Sequence, residues 1–248
     1  MNIIINGANG KAGKALLELS KTKEDVHVSA LVDPSFETNA KKGVYKRIFE
    51  TDEKADAIID FSFHAAAPIL CAYAAKTKTP LVIATTGHTE KEKSIIVSAS
   101  SQIPIFYSAN MSLGVLLTVK IAKAAAEAFP EAEIDIVETH HDKKIDSPSG
   151  TALMLAEAVR RVRPELRIRA WQSYFGERNK NDLFIHSLRL GNSAGSHEII
   201  FALPFQTVTI KHEAHDRRIF AEGALTAARF LQSKRKGLFS EFSSAAEE

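Results

Sequence analysis

The first 110 residues alternate short apolar strands with helices, and this order constrains the fold more than any other feature of the chain. A strand at 2–6 is predicted to run through the glycine-rich turn Gly7–Gly13 into a helix that carries several leucines. Four further strands are predicted, with helices between them, at Val26–Val32, Ala57–Phe61, Pro80–Ala84 and Ile103–Tyr107. The alternation favours parallel βαβ units with right-handed crossovers, and hence an α/β fold with a Rossmann-like, doubly wound parallel sheet.

The pattern changes near residue 110. A long helix at 113–129, a strand at Glu133–Thr139 and a helix at Thr151–Val162 come first. Three strand-like stretches follow, at Leu183–Leu190, Glu198–Leu203 and Thr207–Glu213. Strands grouped in this way predict a smaller α+β domain with a mixed or antiparallel sheet. The last helix, Glu222–Gln232, is expected to pack back on the first domain, so the predicted domains are 1–109 with 217–248, and 110–216.

Composition excludes several classes of protein. With 45% hydrophobic and 25% charged residues, the 248-residue chain resembles ordinary globular proteins. The 32 basic and 30 acidic residues nearly cancel, so neither nucleic acid nor a membrane is expected as a partner. The start of the chain has no basic segment of the kind that opens a signal peptide, and we expect a cytoplasmic protein. The single cysteine, Cys71, lies in an alanine-rich helical stretch and is interpreted as a small core residue.

The first turn has the features of a dinucleotide site. Gly7, Gly10 and Gly13 lie between a strand and a helix, where glycine lets the backbone approach a pyrophosphate and the helix amides offset its charge. Asn9 stands where the usual pattern has glycine, but asparagine tolerates left-handed backbone angles. Asp33 ends the second strand, where a carboxylate can accept hydrogen bonds from the adenosine ribose. The alternative interpretation is a purely structural glycine turn.

Asp33 also bears on the choice of cofactor. A carboxylate repels the additional phosphate of NADPH, and Pro34 rather than arginine follows it, so NADH is mildly favoured over NADPH. Lys11 and the pair Lys41-Lys42 could still attract a phosphate. The cofactor is therefore predicted as NADH or NADPH.

Two further segments follow the fourth and fifth strands. Ala84-Thr85-Thr86-Gly87 and Ser108-Ala109-Asn110-Met111 begin where those strands end. Ligands of doubly wound sheets bind at the carboxyl ends of the strands. Backbone groups of these segments are therefore expected to contact the nicotinamide amide.

The segment Glu138–Ala152 carries the densest chemistry. Two adjacent imidazoles, His140 and His141, and a lysine can deliver protons or balance charge, and a Ser-Gly-Thr helix start exposes amides to a carboxylate. These features describe an anion pocket with acids in it. A solvated charged loop whose helix is capped by Ser149 explains them equally well on chemistry alone.

Six histidines lie in the second half of the chain, which raises the question of zinc. None has a recognised ligand spacing, and His212-Glu213-Ala214-His215 is not the helical HExxH order, so no metal is predicted. The stretches Arg189–Gly191 and Gly195–His197 are expected to form a turn near the second sheet, with a structural role.

These residues resemble the 4-hydroxy-tetrahydrodipicolinate reductase family, also called dihydrodipicolinate reductase, of lysine and diaminopimelate biosynthesis. The run Glu138-x-His140-His141-x-x-Lys144-x-Asp146-x-Pro148-Ser149-Gly150-Thr151-Ala152 matches the family signature. The similarity extends from the Gly7–Gly13 turn to Lys236–Phe239. It therefore spans nearly the whole chain.

The resemblance implies a role for each matching residue. His140 would be the proton donor or acceptor, Lys144 a proton donor, and His141, Gly150 and Thr151 the carboxylate-binding groups. The implied cofactor contacts are Gly7, Ala8, Asn9, Gly10, Lys11, Ala12, Asp33, Ala84, Thr85, Thr86, Ser108, Ala109, Asn110 and Met111. The reaction would reduce a cyclic dicarboxylate with NAD(P)H, in a homotetramer formed through the sheets of the second domain.

Two other functions compete with this one. A non-catalytic nicotinamide sensor on the same scaffold should have lost His140 or Lys144, and both are present. A reductase of a related amino or oxo acid should keep the glycine turn but not the His-His and Ser-Gly-Thr pattern. The chain departs from the family pattern at four positions, which bear on packing, cofactor preference and assembly: Ala84, Met111, Phe184 and Leu190.

Overall fold

The computed structural model describes residues 1–37, 42–170 and 176–240. The chain divides into two compact units. Unit 1 comprises Met1–Ser112 and Arg217–Glu248, and unit 2 comprises Leu113–Asp216. Lys41, one of the three lysines considered for a phosphate, lies outside the described residues.

Unit 1 is built on a seven-stranded sheet. In chain order its strands are β1 (Asn2–Asn6), β2 (His27–Val32), β3 (Val44–Tyr45), β4 (Ala57–Asp60), β5 (Leu81–Ile83), β6 (Pro104–Tyr107) and β12 (Gly237–Phe239). Across the sheet their order is β12-β6-β5-β4-β1-β2-β3, and neighbouring strands are parallel. The strand order reverses direction on either side of β1, as in a doubly wound fold, and the predicted fold class is confirmed.

The described part of unit 1 also has four α-helices: α1 (Lys11–Ser20), α2 (Ala67–Thr77), α3 (Glu90–Ser100) and α6 (Arg218–Leu231). Short 3₁₀ turns lie at Ile48–Glu50 and His64–Ala66. The central strands are buried along their length, with Ile3, Ile4 and Ile5 at most 1% exposed. Both faces of this sheet are therefore covered, as is usual for parallel sheets.

The described residues of unit 2 form a mixed five-stranded sheet and two helices. Its elements are α4 (Leu113–Ala128), β7 (Glu133–His140), α5 (Gly150–Val162), β8 (Arg167–Arg169), β9 (Asp182–Arg189), β10 (Ser196–Leu203) and β11 (Gln206–Glu213). The strand order is β11-β10-β7-β9-β8. β10 is antiparallel to both of its neighbours, whereas β7 and β8 are parallel to β9. The helices pack on one face through a core that includes Ile134, Ile136, Leu155 and Phe201.

Most predicted elements lie within two residues of their observed bounds, but some predictions were wrong. The last helix begins at Arg218 instead of Glu222, so the prediction missed its first turn, which contains Ile219 and Phe220. Three strands of two or three residues, β3, β8 and β12, are too short to show a period of two. Among the described residues, no helix is both long and apolar enough to cross a membrane.

Candidate active site

Strand β7 carries a polar cluster at the end of the unit 2 core. Its even-numbered residues face the helices, and the first two of them, Ile134 and Ile136, are fully buried apolar residues. Glu138 and His140 continue the same face, because side chains two residues apart on a strand point the same way. Glu138 is 0% exposed. A carboxylate at a position that alternation assigns to the core requires partners.

Those partners come from the neighbouring strands through the sheet register. Arg189 lies opposite His140 in the β7–β9 pairing, and His197 lies opposite Glu138 in the β7–β10 pairing. Both residues were predicted to form a structural turn. The turn is present, but it is formed by the residues between them: Arg189 ends β9 and His197 lies near the start of β10.

Glu138 accepts hydrogen bonds on both oxygens. Its Oε2 lies 2.5 Å from Nδ1 of His140 and 3.0 Å from Nη1 of Arg189. Its Oε1 lies 2.7 Å from Nη2 of Arg189 and 3.2 Å from the amide nitrogen of Ser149. Burial disfavours the ionised form, but the bonds from His140 and Arg189 outweigh it and hold the pKa of Glu138 well below its usual range. Glu138 is therefore an ionised acceptor.

His197 stands beside this pair as a neutral imidazole. Its Nε2 lies 2.8 Å from Oγ of Ser149, and its ring meets that of His140 edge to face at 5.1 Å between centroids. Burial, followed by repulsion from His140, lowers the pKa of His197 to about 4. At neutral pH the positive charge of the cluster is thus supplied by Arg189 and not by His197.

The loop between β7 and α5 holds Lys144. The Nζ of Lys144 donates to both carboxylate oxygens of Asp146, at 2.7 and 2.8 Å. Arg189 also donates from Nη2 to the carbonyl of Asp146, at 2.7 Å, so one guanidinium joins Glu138 to this loop. The amide of His141 donates to the carbonyl of Ser193 at 3.0 Å, which fixes the start of the loop.

Helix α5 begins beside the cluster. Ser149 is its N-cap, and Oγ accepts from the amide of Ala152 at 3.2 Å. A Cβ built on Gly150 meets nothing within 4 Å, so the first residue of the helix faces open space. Ser149 therefore belongs both to the helix cap and to the polar cluster, because it also contacts Glu138 and His197. The two interpretations of this segment, a capped loop and an anion pocket, are compatible.

Glu138, His140 and His197 also meet a geometric condition for a metal site. Each offers a ligand atom, and these atoms lie within 4.8 Å of one another. Linear spacing could not show this group, because its members come from two strands. The carboxylate, however, already accepts from Arg189 on both oxygens, and a cation there would face the guanidinium charge. The donor set fits a hydrogen-bonded cluster better than a metal centre.

In unit 1, the glycine turn packs too tightly for side chains. A Cβ at Gly7 would lie 2.6 Å from the backbone of Phe61, and one at Gly13 would lie 2.2 Å from the carbonyl oxygen of Gly7. Gly10 is the N-cap of α1 and offers no side chain to its first amides. The amides of Lys11 and Ala12 lie in the first turn of α1, and amides at this position bind the pyrophosphate in Rossmann folds.

Asp33 is tied into the same turn. Its Oδ2 accepts from the amide of Asn9 at 3.0 Å, and Oδ1 accepts from the amide and hydroxyl of Ser35 at 3.0 and 2.6 Å. Burial opposes ionisation, but the bonds from Ser35 and Asn9 outweigh it and lower the pKa of Asp33. Asp33 therefore presents a fixed negative charge beside Asn9 and Ala8.

The segments after β5 and β6 are fixed by internal hydrogen bonds. Thr85 donates from Oγ1 to the buried carboxylate of Asp60 at 2.8 Å, and Asp60 also accepts from Asn6. Ser108 donates from Oγ to the carbonyl of Asn110, whose Oδ1 accepts from the amide of Ser112. Side chains here shape the turns. Ala84, Thr86, Ala109 and Met111 complete the two segments, which leave β5 and β6 at their carboxyl ends.

Sequence reasoning assigned no role to Glu138, Arg189 or His197 as a group. One signal was available: Glu138 and His197 are polar residues at positions that strand alternation assigns to the buried face. Their convergence, in contrast, depends on the register of three strands that are remote in sequence.

Comparison with known proteins agrees with this architecture. The family model described as dihydrodipicolinate reductase, N-terminus, matches residues 1–111, and the C-terminus model matches residues 114–243. The 4-hydroxy-tetrahydrodipicolinate reductase of Caldanaerobacter subterraneus subsp. tengcongensis is 44% identical over 242 residues, which cover 96% of each chain. That of Clostridium tetani is 37% identical over 241 residues, with 96% of this chain and 94% of the relative covered.

A solved structure shares the fold. A dipicolinate-bound dihydrodipicolinate reductase from a Paenisporosarcina species superposes with a TM-score of 0.82 and 23% identity, covering 97% of each chain. The Rossmann-type sheet, the second mixed sheet and the relatives define a two-domain oxidoreductase that uses NAD(P)H. Within that class, the chain belongs to the dihydrodipicolinate reductase family, and the resemblance drawn from its motifs is confirmed.

Proposed function

We propose that this protein reduces 4-hydroxy-tetrahydrodipicolinate to tetrahydrodipicolinate with NAD(P)H, in lysine and diaminopimelate biosynthesis. The observation that carries the proposal is the convergence of the His140 cluster, the Lys144 loop and the start of α5 in a family member. Dipicolinate, the ligand in the Paenisporosarcina protein, is a planar ring with two carboxylates. A substrate of that kind needs acids and anion-binding groups side by side.

His140 and Lys144 are the proposed acid–base residues. His140 is held by Glu138 at Nδ1, which leaves Nε2 as the ring atom that can exchange a proton. Lys144 is ion-paired with Asp146, whose side chain is 62% exposed. An ion pair with an exposed partner is weak, so a bound substrate can replace Asp146 at little cost. The substrate loses its hydroxyl as water, and one carbon accepts hydride.

The substrate carboxylates are assigned to His141, Gly150 and Thr151. Gly150 and Thr151 open helix α5, where the backbone amides and the helix dipole favour a negative charge. No Cβ at 150 narrows the approach. Unit 2 is accordingly the proposed substrate-binding domain and unit 1 the dinucleotide-binding domain.

The cofactor is assigned to unit 1 through three segments. The proposed contacts are Gly7–Ala12, Asp33, Ala84–Thr86 and Ser108–Met111. Tight packing at Gly7 and Gly13 and the uncapped start of α1 fit a pyrophosphate. When bound, the reduced nicotinamide supplies the hydride.

NADH is proposed as the mildly preferred form. The charge of Asp33 is fixed by Asn9 and Ser35, so a phosphate on the ribose would meet an ionised carboxylate. Values of kcat/KM with NADH and with NADPH test this directly. In Asp33→Asn, the ratio of kcat/KM with NADH to kcat/KM with NADPH should fall. A higher kcat/KM with NADPH than with NADH in the unaltered protein would contradict the proposal.

A homotetramer is proposed through the face of the unit 2 sheet that points away from α4 and α5. The odd-numbered residues of β7 and the facing positions of its neighbours point away from α4 and α5, and they include Val137, Ile200 and Leu188. Leu188 is 46% exposed in a single chain. Light scattering after size exclusion tests this, with a monomeric mass as the opposing outcome.

Turnover is the test of the proposed function. Purified protein should oxidise NADH or NADPH when supplied with the freshly formed condensation product of aspartate semialdehyde and pyruvate. Reactions that lack either precursor are the controls. Absence of turnover with both cofactors, in protein that still binds them, would reject the substrate while leaving the oxidoreductase class intact.

A further inference from the structure

The carboxylate of Glu138 contacts both parts of the proposed substrate site. Through Oε2 it holds the ring of His140, and through Oε1 it holds the amide of Ser149, the residue just before Gly150 and Thr151. A fully buried side chain that binds two functional segments fixes their separation. Exposed loops cannot provide such a fixed distance, because their side chains are free to rotate.

The charge of Glu138 determines which nitrogen of His140 is protonated. An ionised carboxylate is only an acceptor, so Nδ1 of His140 must carry the hydrogen in their bond. The neutral ring then has its lone pair on Nε2. Protonation adds a hydrogen to Nε2 and leaves Nδ1 unchanged, so the proton enters and leaves at one atom.

Gly195 keeps the other side of that ring open. A Cβ at this position would lie 2.9 Å from Nε2 of His140, and the φ of Gly195 is +141°, where L side chains are strained. The chain therefore leaves space beside the same nitrogen that Glu138 leaves unprotonated. Position 195 would otherwise crowd the reactive atom.

Arg189 is the counter-ion of this arrangement. It donates to both oxygens of Glu138, and its side chain is 19% exposed. It also holds the carbonyl of Asp146, two residues beyond Lys144. The bidentate pair keeps the buried carboxylate ionised and links its position to the loop that carries Lys144.

We propose that Glu138, with Arg189 as its counter-ion, is the positioning residue of the proposed active site. It holds His140 in the tautomer that exchanges protons at Nε2 and ties that ring to the start of α5. The inference rests on the proposed role of His140 in the reaction. Glu138 acts through His140 and is not itself placed against the substrate.

The variant that tests this role is Glu138→Gln. Glutamine keeps the shape and can still accept from Ser149 and from Nη2 of Arg189 through Oε1, but its amide nitrogen, which replaces Oε2, donates toward His140 and no longer accepts from Nη1 of Arg189. The bond to His140 then requires the opposite tautomer. We expect kcat to fall at least about tenfold, which is part of the general acid–base contribution of His140, while KM and the cofactor Kd change by less than about threefold. Glu131→Gln, an exposed charge just before β7, is the matched control.

Nitrogen NMR of histidine-labelled protein provides a readout that does not depend on turnover. With His140→Gln used for assignment, His140 of the unaltered protein should show the Nδ1–H tautomer at a pH where the ring carries one proton. Glu138→Gln should convert it to the Nε2–H tautomer. Variants with Glu131→Gln should leave the tautomer unchanged.

Two outcomes would overturn the inference. One is an Nε2–H tautomer in the unaltered protein, a result that needs no folded Glu138 variant. The other is Glu138→Gln with unaltered kcat, or with reduced kcat but an unaltered His140 tautomer. If the unaltered protein lacks turnover altogether, the proposed function fails, whereas the NMR result still decides the role of Glu138.

Discussion

The two units build their polar sites in different ways. In unit 1, the proposed cofactor turn is local: Gly7, Gly10 and Gly13 act through the backbone of one short segment, supported by Asp33. In unit 2, the cluster consists of side chains that the sheet register collects from β7, β9 and β10. A backbone site should be sensitive to added volume, and a side-chain site to changes in charge and hydrogen bonding.

The largest expected effect is on chemistry in unit 2. His140→Gln and Lys144→Ala should each lower kcat by roughly 10²- to 10⁴-fold, because each removes a proposed proton-transfer group. The cofactor Kd, measured by fluorescence titration, should change by less than about twofold. Lys143→Ala, in the same loop, is the control. An equal loss of cofactor affinity would remove these residues from the proposed catalytic role.

Added volume should damage unit 1. In Gly13→Ala the new methyl would lie 2.2 Å from the oxygen of Gly7, and backbone must move to accept it. We expect a loss of about 1–3 kcal/mol in the free energy of unfolding, together with weaker cofactor binding. Gly150→Ala, where a Cβ meets nothing within 4 Å, should change both quantities little. Equal behaviour of the two variants would contradict the idea of a volume-sensitive turn.

Acid should destabilise unit 2 through His197. Burial lowers its pKa from 6.5 to about 4. The unfolded chain therefore gains a proton first as pH falls, so the stability due to neutral His197 is complete above pH 6.5 and is lost between 6.5 and about 4. Linkage gives a loss of about 2 kcal/mol between pH 8 and pH 5.

Urea unfolding at the two pH values measures this loss. Glutamine at position 197 does not titrate. The difference in the free energy of unfolding between His197→Gln and the unaltered protein should therefore shift by that amount in favour of the variant between pH 8 and pH 5. His27→Gln, at an exposed position, is the control for the substitution of a histidine by glutamine. A constant difference between His197→Gln and the unaltered protein at both pH values would show that His197 is not held neutral.

The smallest effect compares one helix cap in each unit. Thr89 caps α3 in a capping box with Glu92, and Ser149 caps α5 while also bonding His197. Thr89→Ala should cost about 1 kcal/mol in the free energy of unfolding. Ser149→Ala should cost about 1 kcal/mol more, because it also leaves a buried imidazole nitrogen without its partner. Equal costs would mean that the bond between Ser149 and His197 contributes nothing.

The same contrast explains how much the sequence could predict. The parallel sheet and the glycine turn were predictable, because apolar strands and closely spaced glycines are contiguous signals. The run from Glu138 to Ala152 was also contiguous, and its resemblance identified the family. The contribution of Arg189 and His197 was not predictable, since a residue's neighbours across a sheet depend on a register that no local pattern fixes.

Very short elements were missed for a related reason. Strand β12 has three residues and is defined by its pairing with β6, far away in the chain. Nothing within Gly237–Phe239 distinguishes a strand from a turn. Tertiary contacts decide the structure of such segments.

Unit 2 is a single stretch of chain that interrupts unit 1, and this order has a consequence for synthesis. All strands and helices of unit 2 have been made before the ribosome reaches α6, which packs on α1, and β12, which covers the edge of β6. Unit 2 can thus mature early, whereas the nascent unit 1 waits with an open strand edge. Such an edge can pair with other chains, so the late addition of β12 is expected to limit aggregation of the newly made protein.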